Sequence, residues 1–96
     1  MIEALIKAAF ENKASDIFLS EGSIARMKVN GQLMIAGDDP IENEDMVAFW
    51  KRCGADPEYD GDRDSSYVAH NGVRFRVNLN RHLGNLGAVL RQINTE

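Results

Sequence analysis

Two segments near the end of the chain decide the fold: residues 72–81, GVRFRVNLNR, and residues 87–93, GAVLRQI. In the first, apolar side chains at 73, 75, 77 and 79 alternate with polar ones at 74, 76, 78 and 80. This period of two predicts a half-buried strand, and a second strand follows after residues 82–85. The guanidinium group is a planar fork of donors that suits phosphate or carboxylate. The strand pair is therefore predicted to present arginines to an anion.

The first half of the chain predicts a helix, three strands and a second helix. Residues 2–13 carry apolar side chains at helical spacing. Strands are predicted over three segments, 16–20, 26–30 and 32–36. Asn30-Gly31 tolerates the positive φ angles of a type I′ turn and predicts a hairpin between the second and third strands. The sequence GDDP at 37–40 is expected to end the third strand.

A second amphipathic helix is predicted to start at Asn43 as its N-cap and to end at Gly54. Its apolar face is predicted to hold four residues: Met46, Val47, Trp50 and Cys53. A strand is then predicted over 65–70, with Asn71-Gly72 as a second hairpin turn. The order of helix, three strands, helix and three strands predicts an α+β fold, with the helices on one face of a largely antiparallel sheet of about six strands.

Composition limits the function. The 96 residues favour one domain, 1–96, and the net charge of −4 argues against a nucleic-acid partner. No apolar run approaches the roughly 20 residues of a membrane span, and no signal peptide is evident. The lone Cys53 suits a reducing compartment. His70, His82 and Cys53 lack the spacing of a metal site, so we expect no metal.

Nucleotide chemistry is expected to be absent from this chain. A P-loop requires Gly-Lys followed by Ser or Thr, and the sequence contains no Gly-Lys dipeptide. We therefore expect that the chain alone is not an enzyme and carries no cofactor.

Four arginines are candidate functional residues. Arg74 and Arg76 lie on the polar face of the predicted strand, where a solvated surface and a partner contact are both open interpretations. Arg81 has the parity of the apolar residues, so either a bulge or the end of the sheet is expected there. Arg91 shares the parity of Val89 and Ile93 and is expected to be buried. It must then pair with an internal acid or reach an anion from another domain.

Three motifs, in order along the chain, resemble one protein family. ASDIFLSEG at 14–22 is similar to its "ASDIHLS.G", KVNGQL at 28–33 to its "R..G.L", and the segment from 74 to 93 to its "RFRVN…R…G…AVLR.I". The family is that of the PilT-type ATPases, the hexameric motors of type IV pili and type II secretion. The match covers nearly the whole chain. The sequence departs from the family pattern at four places. Phe18 replaces a His, and Lys28 replaces an Arg. Residues 23–25 stand where the family has prolines, and Leu83 replaces the second Arg of an "R.RG" pattern.

The resemblance implies a PAS-like N-terminal domain that precedes a P-loop motor domain absent from this chain. It implies an assembly and regulatory domain of a hexameric, cytoplasmic ATPase for pilus retraction (twitching motility). Arg91 and Arg81 would then contact nucleotide phosphates in the full-length protein, which would use ATP and Mg. Arg74 and Arg76 would be partner-interface candidates.

The partners so implied are its own and neighbouring motor domains in a homo-hexamer, and the pilus or secretion machinery at the inner membrane. Two alternatives stay open. One is a stand-alone PAS-like sensor with a small ligand in the sheet–helix cleft. The other is the equivalent domain of a type II secretion or pilus assembly ATPase.

Overall fold

The computed structural model describes residues 2–69 and 72–93, which form two helices and six strands. In chain order these are α1 (Ile2–Glu11), β1 (Asp16–Ser20), β2 (Ile24–Val29), β3 (Gln32–Pro40), α2 (Asn43–Arg52), β4 (Arg63–Val68), β5 (Arg74–His82) and β6 (Asn85–Gln92). The predicted order of elements and the α+β class are confirmed. The predictions for His70 and Asn71 lie outside the described residues.

All six strands belong to one antiparallel sheet with the order β3-β2-β1-β6-β5-β4. The two central strands, β1 and β6, come from opposite ends of the chain. Their pairing joins the β1–β2–β3 unit to the β4–β5–β6 unit. The edges of the sheet are β3 and β4.

The two helices cover one face of the sheet. Trp50 is fully buried, and its Nε1 donates a hydrogen bond to the Gly87 carbonyl of β6 at 3.2 Å. The Phe49 and Tyr67 rings pack with their centroids 5.1 Å apart. The largest fully buried side chains come from both helices and from three strands: Trp50, Phe49, Ile6, Ile17, Met46, Leu79, Leu90 and Val77. The space between helices and sheet is thus filled by aromatic and aliphatic side chains.

Two-residue turns close the β2–β3 and β5–β6 hairpins. Asn30 and Gly31 have φ angles of 51° and 79°, which confirms the predicted type I′ geometry between β2 and β3. The β5–β6 turn uses Leu83 and Gly84 at 51° and 83°. A leucine at positive φ is strained, because its Cβ approaches the backbone carbonyl in this region.

The prediction that residues 37–40 end the third strand was wrong, since β3 runs through to Pro40. The pairing shifts register instead: Arg26 pairs with Ile35, but Ile24 pairs with Pro40. An edge strand tolerates this because its outer backbone groups need no partner strand, so proline and an irregular register cost little there. Gly37 also admits close helix packing, since a Cβ on it would lie 2.9 Å from Leu5 Cδ2.

The start of α2 differs from the prediction by one residue. Asn43 is the first helical residue, and its Nδ2 donates to the Glu21 carboxylate at 3.2 Å. Glu42 holds the N-cap position and makes no capping hydrogen bond with its side chain. The end of α2 is as predicted. Gly54 has a φ of 80°, and the N–H groups of Gly54 and Ala55 close the last turn.

Candidate functional site

The sheet surface that points away from the helices, here called the open face, is the candidate functional site. On each strand the residues that alternate with the buried ones lie on this face. Among the described residues, five of the 11 Lys and Arg residues occur there, and the five strands other than β3 place two acids on this face. The five cations are Arg26, Lys28, Arg74, Arg76 and Arg91, and the acids are Asp16 and Asp64. The face is therefore basic although the whole chain is acidic.

One row of side chains crosses the centre of the open face. Strand registers place Lys28 opposite Asp16, Asp16 opposite Arg91, and Arg91 opposite Arg76. Arg91 Nε donates to Asp16 Oδ1 at 3.2 Å. The Asp16 side chain is 9% exposed and the Arg91 side chain 73%. The carboxylate is thus covered by its neighbours, while the guanidinium groups remain available to an outside anion.

A second, more apolar row lies beside the first. Ile35, Arg26, Phe18 and Val89 follow one another across four neighbouring strands. Apolar side chains interleaved with arginines are the composition that protein–protein interfaces favour at their core. The open face therefore has both the charge and the apolar content of a docking surface.

The prediction that Arg91 is buried was wrong. On β6 the helix-facing residues are Leu86, Ala88 and Leu90, all buried, so Arg91 and Val89 lie on the open face. Because β6 is a central strand, both of its faces carry apolar side chains. The apolar side chain of Val89 therefore did not show which face of β6 points toward the core. The internal acid considered as a partner does exist, as the buried Asp16, but the arginine that pairs with it lies at the surface.

Arg74 and Arg76 are exposed on β5, as predicted from their alternation. Strand pairing brings Arg76 directly beside Arg91, and Arg74 lies two residues along the same face. Arg26 and Lys28 were not predicted to belong with them. Their alternation with the buried Ala25 and Met27 indicates that both lie on the open face. The position of β2 in the sheet, which brings them near the other arginines, could not be predicted from this alternation.

Arg81 lies on the opposite, helix-facing side. Neither a bulge nor the end of the sheet occurs there, since Arg81 pairs in register with Leu86. Its Nη1 donates to the Gly84 carbonyl at 3.2 Å, its Nη2 donates to the Pro57 carbonyl, and its Cζ lies 5.9 Å from the Trp50 ring centroid. Carbonyl acceptors and a cation–π contact thus solvate a partly buried cation. Arg81 Nε is buried with no partner among the described residues.

Three acids cluster on the helix side. Glu42, Glu44 and Asp45 meet at the start of α2. A side-chain hydrogen bond with Glu44 raises the pKa of Glu42, and repulsion from Glu44 and Asp45 raises it further. The chain therefore has an acidic end on its helix layer and a basic open face.

Neither a cluster of metal ligands nor a reactive thiol is found among the described residues. Over residues 2–69 and 72–93, no three His, Cys, Asp or Glu side chains are placed to hold a metal ion. Burial raises the pKa of the Cys53 thiol to about 11, so this group stays protonated and unreactive at neutral pH.

A cavity of about 960 Å³ opens at the end of the sheet, beside the charged row. Phe10 of α1 and Lys13, two residues beyond that helix, line it together with Asp16, Lys28 and Arg91. It lies outside the sheet–helix cleft that the alternative of a stand-alone sensor would use. That cleft is packed with side chains such as Trp50 and Leu79.

Comparison with solved structures identifies the fold. The pilus retraction motor PilT with bound ADP superposes with a TM-score of 0.79 and 28% identity, over 99% of this chain and 29% of that chain. The ATPase DotB of Legionella pneumophila superposes with a TM-score of 0.69 and 23% identity over 95% of this chain. The ATPase DotB of Yersinia pseudotuberculosis superposes with a TM-score of 0.71 and 16% identity over 97% of this chain. The two DotB likenesses show the fold alone. No family model and no curated protein sequence matches the chain.

These similarities define the class of protein: the chain has the architecture of the N-terminal domain of the PilT-type secretion ATPases. The resemblance predicted from the sequence motifs is thereby confirmed. The chain spans 28–29% of the length of these structures. None of the helices in the described ranges is long and apolar enough to cross a membrane.

Proposed function

We propose that this chain is the N-terminal assembly and regulatory domain of a hexameric, cytoplasmic pilus-retraction ATPase. The single observation that carries the proposal is the similarity to PilT over 99% of the chain at 28% identity. The basic open face supplies the contact surface, through which the domain packs on the motor domain of a neighbouring subunit. The pilus or secretion machinery at the inner membrane is the wider partner.

Within this proposal, Arg91 is the better-placed nucleotide contact. Its guanidinium group is largely exposed and held at one atom by Asp16, so its remaining donors can turn to a phosphate on the motor domain. Arg81 is already committed to the carbonyls of Pro57 and Gly84. A role for Arg81 at the nucleotide requires that it leave these acceptors.

The chain itself is proposed to lack ATPase activity. No Gly-Lys dipeptide is present to form a P-loop, so the backbone cradle and the lysine that hold phosphates are missing. ATP and Mg would bind the motor domain of the full-length parent. Calorimetric titration of the isolated chain with Mg-ATP is expected to give no heat of binding, and micromolar binding would contradict the proposal.

The decisive experiment uses the full-length parent protein. Arg91→Ala is expected to lower ATPase turnover by about 10³-fold if the arginine stabilises the transferring phosphoryl group, while the hexamer stays intact. Lys51→Ala, which removes an exposed cation on α2, is the control and should leave turnover unchanged. Equal turnover for the Arg91→Ala variant and the parent would exclude the nucleotide contact.

A further inference from the structure

The outer edge of β3 exposes three large apolar side chains in succession. Leu33, Met34 and Ile35 are 56%, 45% and 65% exposed, and β3 is an edge strand. The other edge strand, β4, begins with the charged pair Arg63 and Asp64. Charges blunt an edge against strand pairing, and a bare apolar edge invites it. The charges and the proline of β3 lie at its other end, at Asp38, Asp39 and Pro40, so its Leu33–Ile35 stretch lacks this protection.

The backbone groups of this edge point outward at two positions. The Lys28 carbonyl accepts a hydrogen bond from the Ser15 N–H at 2.8 Å, so the backbone of Lys28 is turned toward β1. Leu33 pairs with Lys28 across the hairpin and must therefore turn its own N–H and C=O away from β2. By the same alternation, Ile35, which pairs with Arg26, also presents its N–H and C=O to the outside.

Charge determines which segment fits. Leu33 and Ile35 lie beside Lys28 and Arg26 on the open face. A strand added along β3 would lie about 10 Å from β2, twice the spacing between strands, within reach of these long side chains. Carboxylates on the added strand would gain from both cations. The same stretch of a second copy, residues 32–35, has no carboxylate to offer, and its own Lys28 and Arg26 would lie about three strand spacings away, so it lacks the attraction that an acidic segment gains.

We propose that the Leu33–Ile35 edge accepts an extended segment of a partner protein, apolar with flanking carboxylates, by strand addition. Backbone hydrogen bonds from Leu33 and Ile35 would supply affinity, and the apolar side chains would cover their counterparts. The register shift beyond Ile35 limits the paired length, so binding by a single short segment is weak. This site goes beyond the proposed ATPase role and does not depend on it.

The test is an NMR titration of the isolated chain with the peptide acetyl-Glu-Thr-Val-Thr-Val-Thr-Glu-amide, whose two Glu and two Val side chains lie on one face of an extended strand. The amide resonances of Leu33 and Ile35 are expected to shift saturably at millimolar peptide and to exchange more slowly with solvent. The same peptide with Lys in place of Glu should bind about three- to tenfold more weakly, the effect of two exposed ion pairs.

Matched variants locate the site. Ile35→Pro removes an outward N–H at an edge position that tolerates proline and should abolish the shifts. Leu33→Asp should also abolish them, whereas Val68→Asp should not, since Val68 is equally exposed, at 56%, on the opposite edge. If the Ile35→Pro variant does not fold, the comparison of Leu33→Asp with Val68→Asp shows whether the peptide binds at the β3 edge.

Three results would overturn the proposal. The first is the absence of shifts in the β3 amides at millimolar peptide. The second is equal binding of the acidic and basic peptides, which removes the role of Lys28 and Arg26. The third is a shift of the same amides with protein concentration alone, which would assign the edge to a second copy of the chain.

Discussion

Arg76 on β5 and Arg91 on β6 lie directly opposite each other on the open face, two like charges in one cross-strand pair. Like charges at directly opposed positions destabilise a sheet. Asp16 holds Arg91 from the other side and offsets part of the repulsion. The isolated domain therefore retains a pair of neighbouring cations, and an external carboxylate or phosphate would reduce the repulsion between them.

Removing one member of the pair should stabilise the isolated domain. Arg76→Gln is expected to raise the free energy of unfolding by up to about 0.5 kcal/mol at low salt, and the gain should shrink at high salt as screening increases. Urea unfolding at two salt concentrations measures it. Arg74→Gln is the control, because Arg74 lies opposite Val68 and not opposite a cation. A loss of stability in Arg76→Gln would show that the two arginines do not repel.

Truncating Arg91 should cost the fold little. Its ion pair with Asp16 is largely exposed on the arginine side, so Arg91→Ala is expected to lower the free energy of unfolding by about 1 kcal/mol or less. A buried pair would have cost about 3–5 kcal/mol. Thermal melts of the isolated domain separate the two ranges, with Arg91→Lys as the variant that keeps the charge.

Replacing the strained leucine of the β5–β6 turn should also stabilise the domain. Leu83 combines a φ of 51° with 90% exposure, and asparagine adopts this conformation at lower cost. Leu83→Asn is expected to raise the free energy of unfolding by about 0.5–1 kcal/mol. The reciprocal variant Asn30→Leu places the same strain in the β2–β3 turn and should lower it by a similar amount. Changes of the same sign in the two variants would contradict the turn assignment.

The hairpin at Asn30-Gly31 could be predicted from sequence because its turn chemistry is local. The side of the sheet that Arg91 faces could not, since β6 is apolar on both faces and only its neighbours decide which face meets the helices. The contacts of Arg81 also escaped prediction. Trp50 and Pro57 lie far from it in sequence and meet it only through the fold. The GDDP segment at 37–40 was wrongly predicted to end β3, because an edge strand tolerates residues that would break an internal strand.

The unused N-cap of α2 offers a gain in stability. Glu42→Ser supplies a side-chain oxygen for the orphan N–H groups, and this cap is expected to raise the free energy of unfolding by about 0.5–1 kcal/mol. The change also removes a carboxylate crowded by Glu44 and Asp45. Asp39→Ser, which removes a nearby exposed charge without adding a cap, should change stability by less than about 0.5 kcal/mol.

The same variant has a predicted pH dependence. Because the pKa of Glu42 is raised above 4.5 in the folded state, its ionised form destabilises the fold at neutral pH, and this penalty disappears as pH falls below 4.5. The advantage of Glu42→Ser should therefore shrink toward acidic pH, where only the cap remains. Urea unfolding at neutral pH and near pH 4 measures the difference, and a gain that grows on acidification would contradict it.

The central claim is that the open face packs on a neighbouring motor domain, and the mass of the full-length parent in solution tests it most directly. Arg74→Glu combined with Arg76→Glu should convert the hexamer to smaller species in analytical ultracentrifugation. Lys7→Glu combined with Lys51→Glu makes the same charge change on the helices and should leave the hexamer intact. A hexamer that survives the open-face reversal, or is lost equally in the control, would contradict the account.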